Sequence, residues 1–250
     1  MKLPLVIGGL EFGISHLQGR KGCDQMLKFV ISYSCGKDSA LALYRMLQEG
    51  HQAVGLLVMI NREQERSWFH GVDRPLLEAV SHALGIPLIP CACAGEDYAA
   101  AMEAGLGRAQ KMGAEAAVFG DIDIAGHREW CTARCAAAGL KALFPLWQQE
   151  RLALTREVID LGFSALIKCV EKSKTSVKML GQTLTHELVA AIAAGGADAC
   201  GENGEYHTFV YDGPIFSYPL PIETGAVLDF GTHAAIDLNI AKQNKPGTQL

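Results

Sequence analysis

Ser34-Cys35-Gly36-Lys37-Asp38-Ser39 gathers two hydroxyls, a glycine, an ammonium group and a carboxylate into one short run. It follows the apolar segment Phe29-Val30-Ile31-Ser32-Tyr33, which reads as a strand, and precedes a helical pattern from Ala40 to Gly50. At such a junction backbone N–H groups and the positive end of the helix converge, an arrangement suited to an anion. Gly36 lets the backbone approach a ligand closely, Ser34 and Ser39 can donate hydrogen bonds, and Lys37 brings a mobile positive charge. Asp38 fits this company as a magnesium ligand or as a helix cap. The spacing is too short for a Walker A loop.

Two further blocks could carry chemistry. Gly120-Asp121-Ile122-Asp123-Ile124-Ala125-Gly126-His127-Arg128-Glu129-Trp130 starts where the apolar run Ala116 to Phe119 stops. Asp121 there could hold a ribose or a base, and Arg128 a phosphate or a carboxylate, with His127 beside it. A solvated helix face is the plainer reading of His127 and Arg128. Gly201-Glu202-Asn203-Gly204-Glu205-Tyr206-His207-Thr208-Phe209 packs two carboxylates, an amide and an imidazole into the head of a strand, a density that is costly to bury without a ligand. If Glu205 and His207 share one face by the period of two, they make a pair able to bind a polar substrate or exchange a proton. The bland alternative is a polar hairpin turn.

The elements that must position these groups alternate short apolar runs with helical patterns, as in a parallel sheet covered by crossover helices. Strands are expected at Ala53 to Ile60, Pro87 to Cys91 and Ala116 to Phe119, and helices at Pro75 to Leu84, Tyr98 to Met112 and His127 to Gly139. Open sheets of this class bind ligands at the strand ends, where two of the three blocks lie. Pro145-Leu146-Trp147 marks a change of character. A second lobe follows, with a helix at Leu154 to Leu161, a strand at Ser164 to Val170, a helix at Leu184 to Ala194, and a Gly/Pro-rich region from Gly201 to Pro221 holding another strand.

The 250 residues, 49% hydrophobic and 20% charged, describe a soluble globular protein able to bury one large core or a large core with a satellite. A formal charge of -5 argues against a broad nucleic-acid footprint. No signal peptide or membrane span is expected. The cysteines at 23, 35, 91, 93, 131, 135, 169 and 200 form no disulfide framework, which points to reduced thiols in the cytoplasm. Cys91-x-Cys93 and Cys131-x3-Cys135 read as small core residues rather than metal ligands.

The run from Ser34 to Ser39 resembles the Ser-Gly-Gly-x-Asp-Ser loop of the PP-loop ATP pyrophosphatases, with Cys35 in place of the first glycine. The stretch from Gly120-Asp121-Ile122 through Gly139-Leu140 to Pro145-Leu146-Trp147, and the block from Gly201 to Thr208, extend the likeness. From about Leu27 to about Leu228 the chain resembles the diphthine-ammonia ligase family. The resemblance implies a Rossmann-like HUP nucleotide domain over 26–144 and a smaller C-terminal α+β substrate domain over 145–250, with 1–25 a loose N-terminal extension.

It also implies a reaction. Ser34, Cys35, Gly36, Lys37, Asp38 and Ser39, with Gly120 and Asp121, would bind ATP, and Asp38 would hold Mg²⁺. The acceptor carboxylate would attack the α-phosphorus, releasing pyrophosphate, and ammonia would displace AMP from the acyl adenylate. His127, Arg128, Glu202, Asn203, Glu205 and His207 would line the acceptor and ammonium site, with Lys37, Asp38, Glu205 and His207 catalytic. The family's characterised acceptor is diphthine, a modified histidine of elongation factor 2. Cys35 and the 121–124 and 127–130 variants are similar to bacterial relatives, which have no diphthine, so the acceptor stays open. A homodimer is the expected assembly. The alternatives are a PP-loop enzyme that adenylates tRNA and a nucleotide-binding protein without turnover.

Overall fold

The computed structural model describes residues 26–241; the expected extension 1–25 and the tail from 242 lie outside the described residues. The first sheet contains β1 (Lys28–Ser32), β2 (Gln52–Asn61), the two-residue β3 (Arg66–Ser67), β4 (Leu88–Cys93), β5 (Ala116–Val118) and β6 (Lys141–Leu143). Setting aside the antiparallel β3, its order is β4-β2-β1-β5-β6, all parallel. The chain runs outward from β1 to β4 and then returns to the other side of β1. The order therefore reverses between β1 and β5, where doubly wound sheets open a crevice beyond their strand ends.

Helices α1 (Lys37–Gln48), α2 (Arg74–Leu84), α3 (Tyr98–Lys111) and α4 (Ala125–Ala137) cover this sheet. Alternation along β1 sends Phe29 and Ile31 to one apolar cluster, with Leu41 and Leu43 of α1 and Leu76, Leu77 and Val80 of α2. Val30 goes to the opposite cluster, with Met102 and Leu106 of α3 and Cys131 and Cys135 of α4. Each fully buried leucine contributes about 1.5–3 kcal/mol. Cys91, Cys93, Cys131 and Cys135 are all buried in this second cluster. Local signals set the helix ends: the Asp73 carboxylate accepts the Leu76 N–H at 2.9 Å, and Gly85, at φ 66°, closes α2 in the left-handed region.

The remainder of the described chain forms an antiparallel sheet of order β8-β7-β10-β9, with β7 (Ser164–Glu171), β8 (Tyr206–Asp212), β9 (Ile222–Asp229) and β10 (His233–Ile240). Helices α5 (Arg151–Asp160) and α6 (His186–Ala194) belong to this part. The sequence pattern marks β7 and β8, whereas β10 falls in the tail beyond the family likeness read from the motifs. β10 pairs with both β7 and β9, and its buried Ala234, Ile236 and Leu238 complete the core. No helix of the described residues is long and apolar enough to cross a membrane.

Candidate active site

The turn from β1 into α1 forms a cradle at the sheet's switch point. Helix α1 begins at Lys37, so Lys37, Asp38 and Ser39 are its first turn and Gly36 its N-cap. First-turn N–H groups have no partner within their helix and lie at its positive end. Ser34 Oγ accepts the Gly36 N–H at 3.2 Å and lies 3.2 Å from Ser39 Oγ, which in turn donates to the Gly36 carbonyl at 2.9 Å. Cys35 takes φ 66°, a conformation that costs a non-glycine residue about 1–3 kcal/mol. It faces the core rather than the cavity, and its carbonyl accepts the Val210 N–H at 2.8 Å. Cys35 thus shapes the loop from behind. Gly120, at the end of β5, lies against the same turn: a Cβ there would sit 2.8 Å from the Asp38 carbonyl carbon and 2.9 Å from the Ser39 nitrogen.

Facing the cradle across a cavity of about 320 Å³ are Cys200, Gly201 and Glu202 of the loop before β8, and Tyr206, His207 and Thr208 of β8. Thr208 Oγ1 accepts the Lys37 N–H at 3.0 Å, so a β8 side chain satisfies one first-turn donor of α1. The loop before β8 is braced by Asp198, which accepts the Cys200 N–H at 2.9 Å and the Glu202 N–H at 3.3 Å. Arg151 joins Asp198 to Asp123 by donating to both, at 2.5 and 2.7 Å. One guanidinium therefore fixes the loop after β5 relative to the loop before β8.

A third wall comes from the turn after β3. Trp68, Phe69 and His70 border the cavity, and Phe69 is 71% exposed at φ 65°. His70 Nδ1 lies 2.9 Å from the Thr208 carbonyl, and its ring centroid is 4.9 Å from that of His207. The His70 ring also covers Gly36, where a Cβ would come 2.7 Å from His70 Cε1.

The electrostatics divide the cavity. Lys37 is 3% exposed, and its Nζ donates to both Asp38 oxygens at 2.8 Å and to Cys200 Sγ at 3.4 Å. Burial pulls the Lys37 pKa down, but Asp38, with Cys200 and Tyr206, outweighs it and holds the ammonium well above its usual value. Burial, then Asp38, pushes the Glu202 carboxyl up to about 7. Burial likewise raises Asp121, against the opposing pull of His127, whose Nδ1 lies 3.4 Å from Asp121 Oδ1. Burial, with His207 next in size, lowers His70 to about 3; burial and then Lys37 lower His207.

Of the residues expected from sequence, Ser34, Gly36, Lys37, Asp38, Ser39, Gly120, Asp121, His127, Glu202 and His207 border one cavity. Four others do not border it: Cys35, which faces the core, and Glu205, Asn203 and Arg128. Glu205 precedes β8, so the period of two does not place it beside His207; its carboxylate instead accepts the Asn203 N–H at 3.0 Å and folds the turn. Asn203 is spent on the same turn, its amide 3.4 Å from Glu205 Oε1. Arg128 lies over the Trp147 and Phe144 rings, 4.7 and 5.7 Å from their centroids, on a separate surface groove.

The donors of the cradle fit a polyphosphate. The Tyr33 hydroxyl adds a buried polar atom at the cavity with no hydrogen-bond partner among the described residues. The model of the diphthamide synthase N-terminal domain matches residues 27–142, and that of the C-terminal domain matches 150–243. The chain belongs to the diphthamide synthase family. It is a ligase that forms a C–N bond, of the ATP-dependent, amide-forming kind. The diphthine–ammonia ligase of Rattus norvegicus is 26% identical over 216 residues, covering 76% of this chain and 81% of that protein. The Homo sapiens diphthine–ammonia ligase is 25% identical over 220 residues, covering 78% and 82%. Among solved structures, a predicted subunit of tRNA methyltransferase from Methanocaldococcus jannaschii aligns at TM-score 0.42 and 13% identity, over 76% of this chain and 98% of that one.

The C-terminal family match runs past Leu228, the end of the likeness read from the motifs, and takes in β10. In this diphthamide synthase family member, His70, Arg151 and Cys200 join the site without being among the residues the motifs single out. Arg151 and Cys200 stand next to polar or glycine residues without a recognisable spacing. His70 offered one signal, a Trp-Phe-His-Gly run between a strand and a proline-started helix.

Proposed function

We propose that this chain joins ammonia to a carboxylate acceptor through an acyl adenylate, releasing pyrophosphate and then AMP. The observation that carries the reading is the meeting of two walls in one cavity: a phosphate cradle from Ser34 to Ser39 and, across from it, Cys200 to Glu202 of the loop before β8 with Tyr206 to Thr208 of β8. The cradle donates N–H, hydroxyl and ammonium hydrogens, which suits the β- and γ-phosphates of ATP. Asp121 and Gly120, at the end of β5, take the ribose side. The domain division read from sequence, 26–144 and 145–250, is the frame for this assignment.

Lys37, charged and buried, neutralises the leaving pyrophosphate in a low-dielectric site where its charge counts most. Asp38 is the residue that would hold Mg²⁺, which needs only one or two carboxylates beside substrate phosphates and which supplies Lewis-acid stabilisation of the phosphate charge. Glu202, His207 and His127 border the acceptor side of the cavity. The acceptor is diphthine on elongation factor 2 where the source makes it, a reading supported by the names of the relatives, and it places the protein in the cytoplasm.

The test is product analysis with ATP, Mg²⁺, ammonium and diphthine-bearing elongation factor 2. AMP, pyrophosphate and amidated acceptor are expected; ADP and orthophosphate would refute the adenylation.

A further inference from the structure

Hydrogen-bond donors of this cavity gather in the phosphate cradle, and acceptors gather on the walls from β8 and from the turn after β3. The cradle is rich in donors, with the Lys37 N–H, Lys37 Nζ and the Ser39 hydroxyl held by Thr208 Oγ1, Asp38 and the Gly36 carbonyl. Opposite, the Thr208 carbonyl can only accept, so its 2.9 Å contact assigns the hydrogen of His70 to Nδ1. The neutral ring then presents Nε2 as a bare lone pair. His207 lies against it with ring centroids 4.9 Å apart, and the Glu202 carboxyl borders the same cavity. Lys37 is already committed to Asp38 and Cys200 and offers these imidazoles no hydrogen bond.

An acceptor-lined wall suits a ligand that has only hydrogens to give. ATP brings mainly acceptors, and it matches the cradle. Ammonium brings four N–H donors and no acceptor. We propose that His70 and His207 form the ammonium-binding site, with His70 Nε2 and the His207 imidazole accepting N–H hydrogens and Glu202 balancing the charge. This assignment rests on the amide-ligase reading above and adds to it a residue from the turn after β3. It replaces Asn203 and Glu205, which bond to each other in the turn before β8 and do not border the cavity.

Both imidazoles stay neutral at physiological pH, because burial and their mutual proximity oppose protonation of His70 and burial with Lys37 opposes that of His207. A protonated pair would repel ammonium and present donors in place of acceptors. Specificity follows from size as well: methylammonium has one donor fewer and a methyl group that must fit between two tilted rings.

The experiment measures initial rates of AMP formation against ammonium chloride and, separately, against ATP, with diphthine-bearing elongation factor 2 as acceptor. Loss of a hydrogen bond to a charged ligand should raise the ammonium KM about tenfold or more in His70→Ala and His207→Ala, while the ATP KM shifts about twofold or less. His70→Asn can return an N–H to the Thr208 carbonyl but leaves nothing at the Nε2 position, so it should keep the fold and the raised ammonium KM. Equal rises in both constants, or an ammonium KM restored in His70→Asn, would show that His70 only supports the loop and would overturn the proposal. ATP–pyrophosphate exchange by the unaltered protein, with acceptor and without ammonium, reads the adenylation alone. Its absence sinks the ligase reading, whereas exchange with an unmoved ammonium KM in all three variants sinks only the ammonium site.

Discussion

Thr208 grips the phosphate cradle from the opposite sheet: its Oγ1 accepts the Lys37 backbone N–H at 3.0 Å while its carbonyl accepts His70 Nδ1–H at 2.9 Å. Lys37 and Thr208 are 171 positions apart, so the cradle has its shape only when both sheets are docked. ATP binding is thereby coupled to the integrity of β8.

Thr208→Val keeps the shape of the side chain and removes the acceptor, leaving a buried N–H unpaired at about 1–3 kcal/mol. A lower melting temperature and weaker ATP binding by calorimetry are expected, with Thr208→Ser restoring both. Wild-type affinity in the valine variant would show that β8 does not support the cradle.

Gly120 tests the close approach of β5 to α1. The added Cβ of Gly120→Ala would meet backbone at 2.8 Å, which cannot rotate away, so the first turn of α1 must shift. A shift of about 1 Å at a positioned group can cost a hundredfold in rate, and adenylation should fall by that order. Gly126→Ala, inside α4 with nothing within 4 Å of its Cβ, is the counterpart. It should raise stability by up to about 1 kcal/mol, through helix propensity, and leave adenylation intact. Equal kinetic losses in the two variants would contradict the packing.

The parallel sheet was legible because β1, β2, β4 and β5 are apolar runs ended by glycine, proline or polar residues; β1, β2 and β5 are buried on both faces, and β4 buries the face carrying Ile89, Cys91 and Cys93. The cradle was legible because its residue types sit together in sequence. β9 was not: seven of its eight residues are exposed, so no apolar alternation marks it, and it exists through pairing with β10. Glu205 misled for a related reason. The period of two holds only inside a strand, and the strand begins one residue later. His70 escaped because its partner Thr208 lies 138 positions away, a distance at which no local pattern operates.

Glu202 should leave a trace in stability against pH. Its carboxyl has a folded pKa of about 7 against an ordinary value of 4.5, with burial the main cause and Asp38 second. Between those values the folded state holds the proton more tightly than the unfolded chain. Its contribution is therefore fully present below pH 4.5 and is lost as pH rises through 7. Glu202→Gln removes that loss, so thermal melts should show the variant gaining on the wild type from pH 5 to pH 8. A constant difference across that range would mean that the carboxyl is not held in a desolvated site.

Glu205 and Arg128 should separate from the catalytic set. Glu205→Ala frees the Asn203 N–H and loosens the turn, costing about 1–3 kcal/mol of stability. Arg128→Ala loses stacking over Trp147, worth about 0.5–1 kcal/mol at an exposed site. Neither side chain borders the cavity, so kcat of the folded Arg128→Ala protein should stay within about threefold of wild type, on the ordinary scale of a surface change. A hundredfold loss in Arg128→Ala would mean that α4 turns toward the acceptor during turnover.

Asp38→Asn probes the balance that keeps Lys37 charged. Burial pulls the Lys37 pKa down and Asp38 is the largest opposing influence, so without the carboxylate charge the ammonium should release its proton at lower pH. Wild-type adenylation, which uses the charged lysine, should persist into alkaline solution, because the wild-type Lys37 pKa lies well above 10.5. In Asp38→Asn the alkaline fall in rate should begin closer to neutrality, and a higher Mg²⁺ concentration should be needed for half-maximal rate. The two effects separate by saturating with Mg²⁺: the metal requirement is then met, while the shifted alkaline limb remains because it belongs to Lys37. If saturation restored the wild-type profile, Asp38 would act through the cation alone, and its 2.8 Å contact with Lys37 would have no part in holding that charge.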